Sequence, residues 1–403
     1  MVWVEVAMAM SVLGVLAYLR YTPVPPEGVS EREKRKVAIR MKTILVDMGA
    51  VLEFFGLTTI VHFLRAVWKY MSRHQEAILT VPESLLKVTE TTFDGVKVMV
   101  LEPQSAEKRS AVPGLVYIHG GAFCFGSAAS CFHITSHLAL ELGAVVVSVD
   151  YRLAPEHKFP AGLNDCVMAT KYFLRHAQKY NVDPARVGIA GESAGGSLSA
   201  VVALKLGQER QNPGLKLQVL LYPSTQGLVL TASTYKYGPC EVQSVWEAAY
   251  ITSLYLYGNR SKIDLVLANP YPAKLEGTHY MNFLDPSLVD PALPPLPPGR
   301  HVKREDIAAG DSDLEVALNP HVSPLLAEEE DIRGLPPTFI TAMEYDIIRD
   351  HAIFYAKRLE RAGVKVKMLH YKTGYHGQFQ DFRWSEAGRG MMEDVLSYLK
   401  ENL

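Results

Sequence analysis

Three side chains in this chain have the types and the order needed to attack a carbonyl. Ser193 is the centre of Gly191-Glu192-Ser193-Ala194-Gly195. A short apolar run of strand character, residues 186–190, precedes it, and a run rich in Ala, Leu and Val, residues 196–207, follows it as a helix would. Strand, Gly-x-Ser-x-Gly, helix places a serine on a sharp turn with its hydroxyl above a sheet, and the glycines leave room where side chains would clash. A serine hydroxyl is a weak nucleophile at neutral pH. It needs a base within hydrogen-bond reach, and that base needs an acid to fix its tautomer. Asp346 and His376 follow in that order, each just after a strand-like run, at 338–342 and 365–371. Taken alone, the pentapeptide also reads as an ordinary glycine-rich turn, so the rest of the chain has to decide.

Acyl transfer also needs donors for the developing oxyanion, each worth roughly 3–4 kcal/mol. His119-Gly120-Gly121-Ala122 follows the apolar run 115–118. Small residues there let backbone N–H groups approach a substrate, so Gly120, Gly121, Ala122 and Ala194 are the expected oxyanion donors. Asp150, Arg152 and Glu156 are read as a structural ion-pair network under these loops. Among the other histidines, His370 falls inside a strand and His176 on a helix, and both read as structural. Asp350 competes with Asp346 but falls at a helix start, where an aspartate is more often a cap. This chemistry calls for no cofactor and no metal, and no Cys-x-x-Cys pair or Cys/His cluster has metal-ligand spacing.

The elements that must position these groups alternate between strand and helix. Residues 89–101 read as a strand pair about Asp94-Gly95. Buried strands follow at 115–118, 144–149 and 217–222, with a helix at 162–180. From about 227 to 334 the alternation is lost, and aromatics and prolines suggest an inserted, partly helical cap over the site. Strand 338–342, helix 350–361, strand 365–371 and a last amphipathic helix at 385–399 restore it. The fold class is therefore α/β: a mostly parallel central sheet with helices on both faces and a helical cap. The expected divisions are an anchor at 1–20, a linker and N-terminal part of the cap at 21–84, core at 85–226, cap insertion at 227–333 and core again at 334–403.

Residues 2–19 are apolar except for Glu5 and Ser11, just long enough for a spanning helix with help from its flanks. A retained anchor is the preferred reading, with a cleaved signal or a buried helix as alternatives. Basic residues follow the segment and none precedes it, which would place the downstream chain in the cytosol. Asn259-Arg260-Ser261 is a glycosylation sequon, which has meaning only in a lumen. Residues 44–64 form a second apolar stretch, read as one helix with a broad apolar face that packs on the protein, with a membrane-surface helix or a second span as alternatives. The 403 residues carry a net charge of −2, which points away from nucleic acid as a partner. Four cysteines do not make a disulfide scaffold at this length, although one or two bridges are compatible with an oxidising compartment.

Together these residues resemble the hormone-sensitive-lipase-like branch of the α/β-hydrolases, and within it the arylacetamide deacetylase group. The resemblance rests on His119-Gly120-Gly121-Ala122-Phe123, Asp150-Tyr151-Arg152-Leu153-Ala154-Pro155-Glu156, Gly191-Glu192-Ser193-Ala194-Gly195-Gly196, Tyr345-Asp346-Ile347-Ile348-Arg349-Asp350 and Gly374-Tyr375-His376-Gly377. It covers the chain from about residue 85 to the end. It implies a serine hydrolase of carboxylic esters or amides of small lipophilic molecules, held in the endoplasmic reticulum by one N-terminal helix, with its domain in the lumen. That orientation opposes the basic flank and is preferred here. The oxyanion loop departs from the family in having Ala122 where a third glycine is usual. Cys124 matches one half of a family disulfide, but Met343 stands at the other position, so the bridge is not carried over. The alternatives in other classes are a non-catalytic ligand-binding protein on the same scaffold and a peptidase.

Overall fold

The computed structural model describes residues 24–78, 81–104, 111–210, 214–227, 230–238, 244–295 and 299–403, with 71–78 as backbone only. The apolar segment 2–19 and Cys240 lie outside the described residues. Eight strands form one sheet: β1 (Leu86–Phe93), β2 (Val96–Pro103), β3 (Val112–Ile118), β4 (Val145–Val149), β5 (Val182–Glu192), β6 (Gln218–Leu221), β7 (Thr338–Tyr345) and β8 (Val366–Tyr375). Their order across the sheet is β1-β2-β4-β3-β5-β6-β7-β8. β2 pairs antiparallel with both β1 and β4, and every other pairing is parallel. β1 and β2 are a hairpin in which Phe93 faces Val96 across Asp94 and Gly95, both at positive φ, as a two-residue primed turn requires.

The central parallel strands β3, β4 and β6 read as nearly continuous apolar runs because both faces are covered. Along β3 the side chains alternate between two cores. Leu115 and Tyr117 join Ile134, Leu138, Val395 and Leu399 on one face. Val116 and Ile118 join Leu163, Phe173, Leu198 and Val202 on the other. The first core is closed by helices α3 (Phe132–Leu142) and α8 (Glu386–Asn402), the second by α4 (Ala161–Arg175) and α5 (Ala194–Gln208). Two further long helices complete this part: α6 (Val245–Tyr257), with a Ser244/Glu247 capping box, and α7 (Arg349–Arg361). Between β6 and β7 the described chain is otherwise short helices and turns.

Strand order reverses at β3, which has β4 on one side and β5 on the other. The crevice at the carboxyl ends of such strands is where open α/β sheets bind ligands. The loop after Ile118 and the turn after Glu192 both open into it.

The stretch 44–64 is not one helix. It divides between α1 (Arg32–Phe54) and α2 (Ile60–Ile78). Gly56, at φ +68°, ends α1: its N–H reaches Glu53 O at 2.9 Å and that of Leu57 reaches Leu52 O at 3.0 Å, closing the turn in the manner of a glycine C-cap. Thr59 Oγ1 then receives the His62 N–H at 3.3 Å as α2 begins. Among the described residues no helix is long and apolar enough to cross a membrane.

Candidate active site

The elbow geometry comes directly from its small residues. Ser193 has φ 56° and ψ −123°, a conformation that costs energy and needs support from its surroundings. Its N–H is held by Leu221 O at 2.8 Å, and Ser197 N–H returns to its carbonyl at 3.0 Å. A Cβ on Gly195 would meet Ile118 O at 2.0 Å, and one on Gly191 would meet Gly195 O at 2.4 Å. A larger residue at 195 would push the elbow off β3 and one at 191 would force the turn itself open, so both glycines are packing requirements.

The two other groups arrive from strand ends, as the order in the sequence suggests. Asp346 follows β7 and His376 follows β8. Ser193 Oγ lies 2.9 Å from His376 Nε2, and His376 Nδ1 lies 2.8 Å from Asp346 Oδ2. A carboxylate can only accept, so Nδ1–H donates to Asp346 and Nε2 is left to accept from the serine hydroxyl. Asp346 is fully buried, and its second oxygen accepts the Ile348 N–H at 2.9 Å. The imidazole keeps about a fifth of its side-chain surface open, and Tyr222 packs edge-on against it with ring centres 5.0 Å apart. The arrangement can activate the hydroxyl and return a proton to a leaving group.

Of the four expected oxyanion donors, Gly120 is placed otherwise. Its N–H donates to Glu192 Oε1 at 2.8 Å, so it is engaged by the protein itself. The loop then turns: Gly121, Ala122 and Phe123 have φ of 110°, 55° and 59°. Among the described residues the N–H groups of Gly121, Ala122 and Ala194 donate to no protein acceptor. Ala122, Ala194 and Ser193 line one pocket, whose walls are otherwise mainly apolar, including Phe123, Ile251, Tyr255, Leu256, Val266, Val322 and Ile347. His351 also lines it, and burial pushes its imidazole down to about 4, so it is neutral at physiological pH.

Glu192, the variable residue of the pentapeptide, escaped the sequence reading. It is buried at the end of β5 and accepts from Gly120 N–H and, at 2.8 Å, from Gln380 Nε2. One carboxyl thus ties the loop after β3 to the loop after His376. Burial holds this group above the usual carboxylate range, against the opposing effects of Gln380, Gly120 and His376. An acid closing a buried apolar strand was a usable signal, because such a group must find partners. Glu192→Ala is expected to lower kcat for a soluble ester about 10- to 100-fold with a smaller change in KM, since it frees both loops without removing a reacting group. Glu192→Gln keeps one acceptor and should fall between. Steady-state kinetics on the purified variants checks this order.

The charged residues of 150–156 act separately, not as one network. Asp150 Oδ1 accepts the Ala128 N–H at 3.1 Å. Arg152 pairs with Asp165, with Nη2 at 2.8 Å and Nε shared between both oxygens. Glu156 takes Arg65 Nη1 at 2.5 Å and His62 Nε2 at 2.9 Å. Arg65 also donates to Cys124 O at 2.6 Å and to Ala154 O, so α2 braces the loop that carries Ala122. His119 is buried, stacked on Tyr151 and bonded through Nδ1 to Gly120 O at 2.7 Å, which makes it a loop-shaping residue. Asp350 is not a helix cap. It accepts the Ser233 N–H at 2.9 Å and pairs with Arg349, tying the inserted segment to α7. Cys124, Cys131 and Cys166 are buried free thiols.

Sequence spacing gave no metal site, yet the fold brings His279, His301 and Glu328 within 4.8 Å by their ligand atoms. The two imidazoles are stacked 4.2 Å apart, and Glu328 already accepts from Tyr280. None of the three lines the Ser193 pocket.

A model of the alpha/beta hydrolase fold matches residues 115–290 and 305–380. The chain is 34% identical to arylacetamide deacetylase of Oryctolagus cuniculus, covering 97% of this chain and 98% of the relative. It is 36% identical to neutral cholesterol ester hydrolase 1 of Pongo abelii, covering 91% of each. Among solved structures, the hyperthermophilic esterase of Pyrobaculum calidifontis superposes with a TM-score of 0.64 at 27% identity, covering 90% of this chain and 97% of that one.

Proposed function

We propose a mechanism from the premise that this chain belongs to the α/β-hydrolase fold family, in its arylacetamide deacetylase group, and is an ester hydrolase. Ser193 attacks the carbonyl of a carboxylic ester or amide. His376 takes the hydroxyl proton at Nε2 and delivers it to the leaving group. Asp346 holds the imidazole in the tautomer that can accept, and its negative charge stabilises the imidazolium that forms. The N–H groups of Gly121, Ala122 and Ala194 receive the oxyanion. Water, activated by the same imidazole, then releases the acid from the acyl-enzyme and restores Ser193. The observation that carries this reading is the pair of hydrogen bonds, 2.9 and 2.8 Å, that link serine, histidine and aspartate.

The substrates are lipophilic and small enough for a pocket with mainly apolar walls. Residues 1–20 anchor the chain as a single N-terminal span, and the catalytic part, 85–226 with 334–403 and the cap at 227–333, lies in the lumen of the endoplasmic reticulum. The exposed Asn259, in a turn where its Oδ1 accepts the Ser261 N–H, carries the glycan. The names of the relatives, one an amide deacetylase and one a sterol ester hydrolase, support both ester and amide cleavage.

The test uses the full chain in membranes with 4-nitrophenyl esters of increasing acyl length, an aryl acetamide and a peptide panel. Turnover that rises from acetate to longer acyl groups, with covalent labelling by a fluorophosphonate probe, is the expected result. Peptide cleavage without ester turnover, or folded protein that takes no probe, would overturn the reading.

A further inference from the structure

Helix α1 wears its apolar side outward. Val37, Met41, Ile44, Met48 and Val51 recur at steps of four and three, and each is exposed. Beyond them, at the turn into α2, Phe54, Phe55 and Leu57 are 84, 68 and 71% exposed. The opposite side of the hairpin is tied to the body by polar groups. Lys42 pairs with Glu247, Arg260 with Glu53 at 3.2 Å, and the buried Arg35 lies 4.0 Å over the Tyr375 ring. An amphipathic helix on a water-soluble protein does the reverse, with its apolar stripe inward and its charges outward. A continuous apolar patch of this kind marks an interaction surface.

We propose that the α1–α2 hairpin rests on a lipid surface, with the turn Phe54–Leu57 seated among acyl chains. Three observations favour lipid over a second copy of this chain. A coiled-coil seam is a narrow stripe that ends with its helix. Here the exposed surface widens to include Ala38 and Ala50 and continues round the turn, where exposure is greatest. The apolar segment 2–19 is only twelve residues upstream of Arg32, a span of about 40 Å at most, so a bilayer holding that segment lies within reach of α1. On α2, Trp68 and Tyr70 are exposed aromatics of the kind that settle at a membrane interface. The exposed charges of α1 are Glu33 and Lys34 in its first turn and Asp47 beside the stripe, two acidic and one basic, so no anionic lipid is called for and zwitterionic lipid suffices.

The surface also leads to the site. Trp68 stacks on Phe125, three residues beyond Ala122, with ring centres 6.4 Å apart. Ile60 and Val61 of the hairpin pack in one cluster with Tyr250, Leu254 and Tyr255 of α6, and Tyr255 lines the Ser193 pocket. The hairpin thus sets the pocket wall beside the lipid, and an apolar ester passes from one to the other with little exposure to water. This inference rests on the membrane setting and the hydrolase reading proposed above, and its test separates all three.

The full chain, with Cys240→Ser, is reconstituted in phosphatidylcholine vesicles and labelled with the fluorophore NBD at one introduced cysteine. The remaining cysteines are buried and stay unlabelled. Labels replace Met48, Phe54 or Leu57 on the hairpin, Val12 in the upstream segment, and the exposed Tyr235 as the water reference. Blue-shifted emission at 48, 54 and 57, quenched by doxyl lipid and protected from iodide, is expected. Iodide quenching at these positions equal to that at 235 would overturn the proposal. So would protection from iodide without lipid quenching, the signature of a second copy or of the upstream segment covering the stripe. A water-exposed label at 12 would count against the anchor and leave the hairpin result standing. In the second arm, Phe54→Asp with Leu57→Asp should raise KM for an ester dissolved in vesicles about tenfold and leave kcat/KM for a water-soluble acetate unchanged. Equal KM values on the vesicle ester would refute the proposal, and absence of turnover on both esters in wild type would refute the hydrolase reading, not the lipid contact.

Discussion

Ser193→Ala is expected to abolish fluorophosphonate labelling and to lower ester turnover by about 10⁴-fold or more, while far-ultraviolet circular dichroism and the unfolding temperature stay close to wild type. The chemical part follows from the hydrogen bond to His376 Nε2. Ser193 Oγ lies 2.9 Å from that nitrogen, so alanine removes the oxygen that the imidazole is placed to deprotonate. The structural part follows from the backbone. Ser193 is held in its positive-φ conformation by main-chain bonds to Leu221 and Ser197 and by the close approach of Gly195 to β3. The hydroxyl takes no part in those contacts. Alanine at φ 56° carries the same Cβ as serine, so the elbow keeps its strain and its shape. A residual rate above water is expected, because the N–H groups of Gly121, Ala122 and Ala194 remain in place. Active-site titration of the purified variants against wild type measures the loss. A variant that still binds probe at the wild-type rate would remove Ser193 from the mechanism.

Much of this site is readable from the chain because each side chain of the proposed triad comes just after a strand, and the strands before Ser193 and Asp346 carry buried, largely apolar runs. Runs such as 115–118 and 145–149 announce themselves by composition, and the groups that follow them have little freedom of placement. What escapes reading is settled by contacts between distant parts. Gly120 resembles a donor by its place in a His-Gly-Gly loop, yet Glu192, 72 residues later, takes its N–H. Asp350 resembles a cap by its place at a helix start, yet it is drawn to the Ser233 N–H and to Arg349. Asp150, Arg152 and Glu156 resemble one network because they are neighbours in sequence, while each finds its partner elsewhere. In residues 44–64 the apolar periodicity runs through Gly56, whose positive φ breaks the helix that periodicity suggests. The stripe of α1 is legible as apolar but its direction is not, because the polar face is claimed by Glu247, Arg260 and Tyr375, all far along the chain.

Asp346→Asn should lower kcat at neutral pH by about 10⁴-fold with little loss of stability, and the cause is a tautomer. Asp346 makes two obligatory acceptances. Oδ1 takes the Ile348 N–H at 2.9 Å and Oδ2 takes His376 Nδ1–H at 2.8 Å. An asparagine has one acceptor oxygen and one NH₂ group. The Ile348 N–H belongs to the main chain and cannot change role, so the amide oxygen stays with it and the NH₂ turns to His376. Nδ1 must then accept, the ring proton moves to Nε2, and Nε2 points a donor at Ser193 where an acceptor is needed. The opposite orientation sets NH₂ against the Ile348 N–H in a buried site, which is costlier. Binding is spared, so KM should move little. Turnover should recover in part at high pH, where hydroxide deprotonates the serine without help from the ring. Asp350→Asn supplies the control. That residue is equally buried and equally near in sequence, but its partners are Ser233 and Arg349, so its loss should register in the unfolding temperature and not in kcat. pH–rate profiles of the two variants distinguish them, and equal losses of kcat in both would mean that burial of negative charge near α7, not the orientation of His376, supports the reaction.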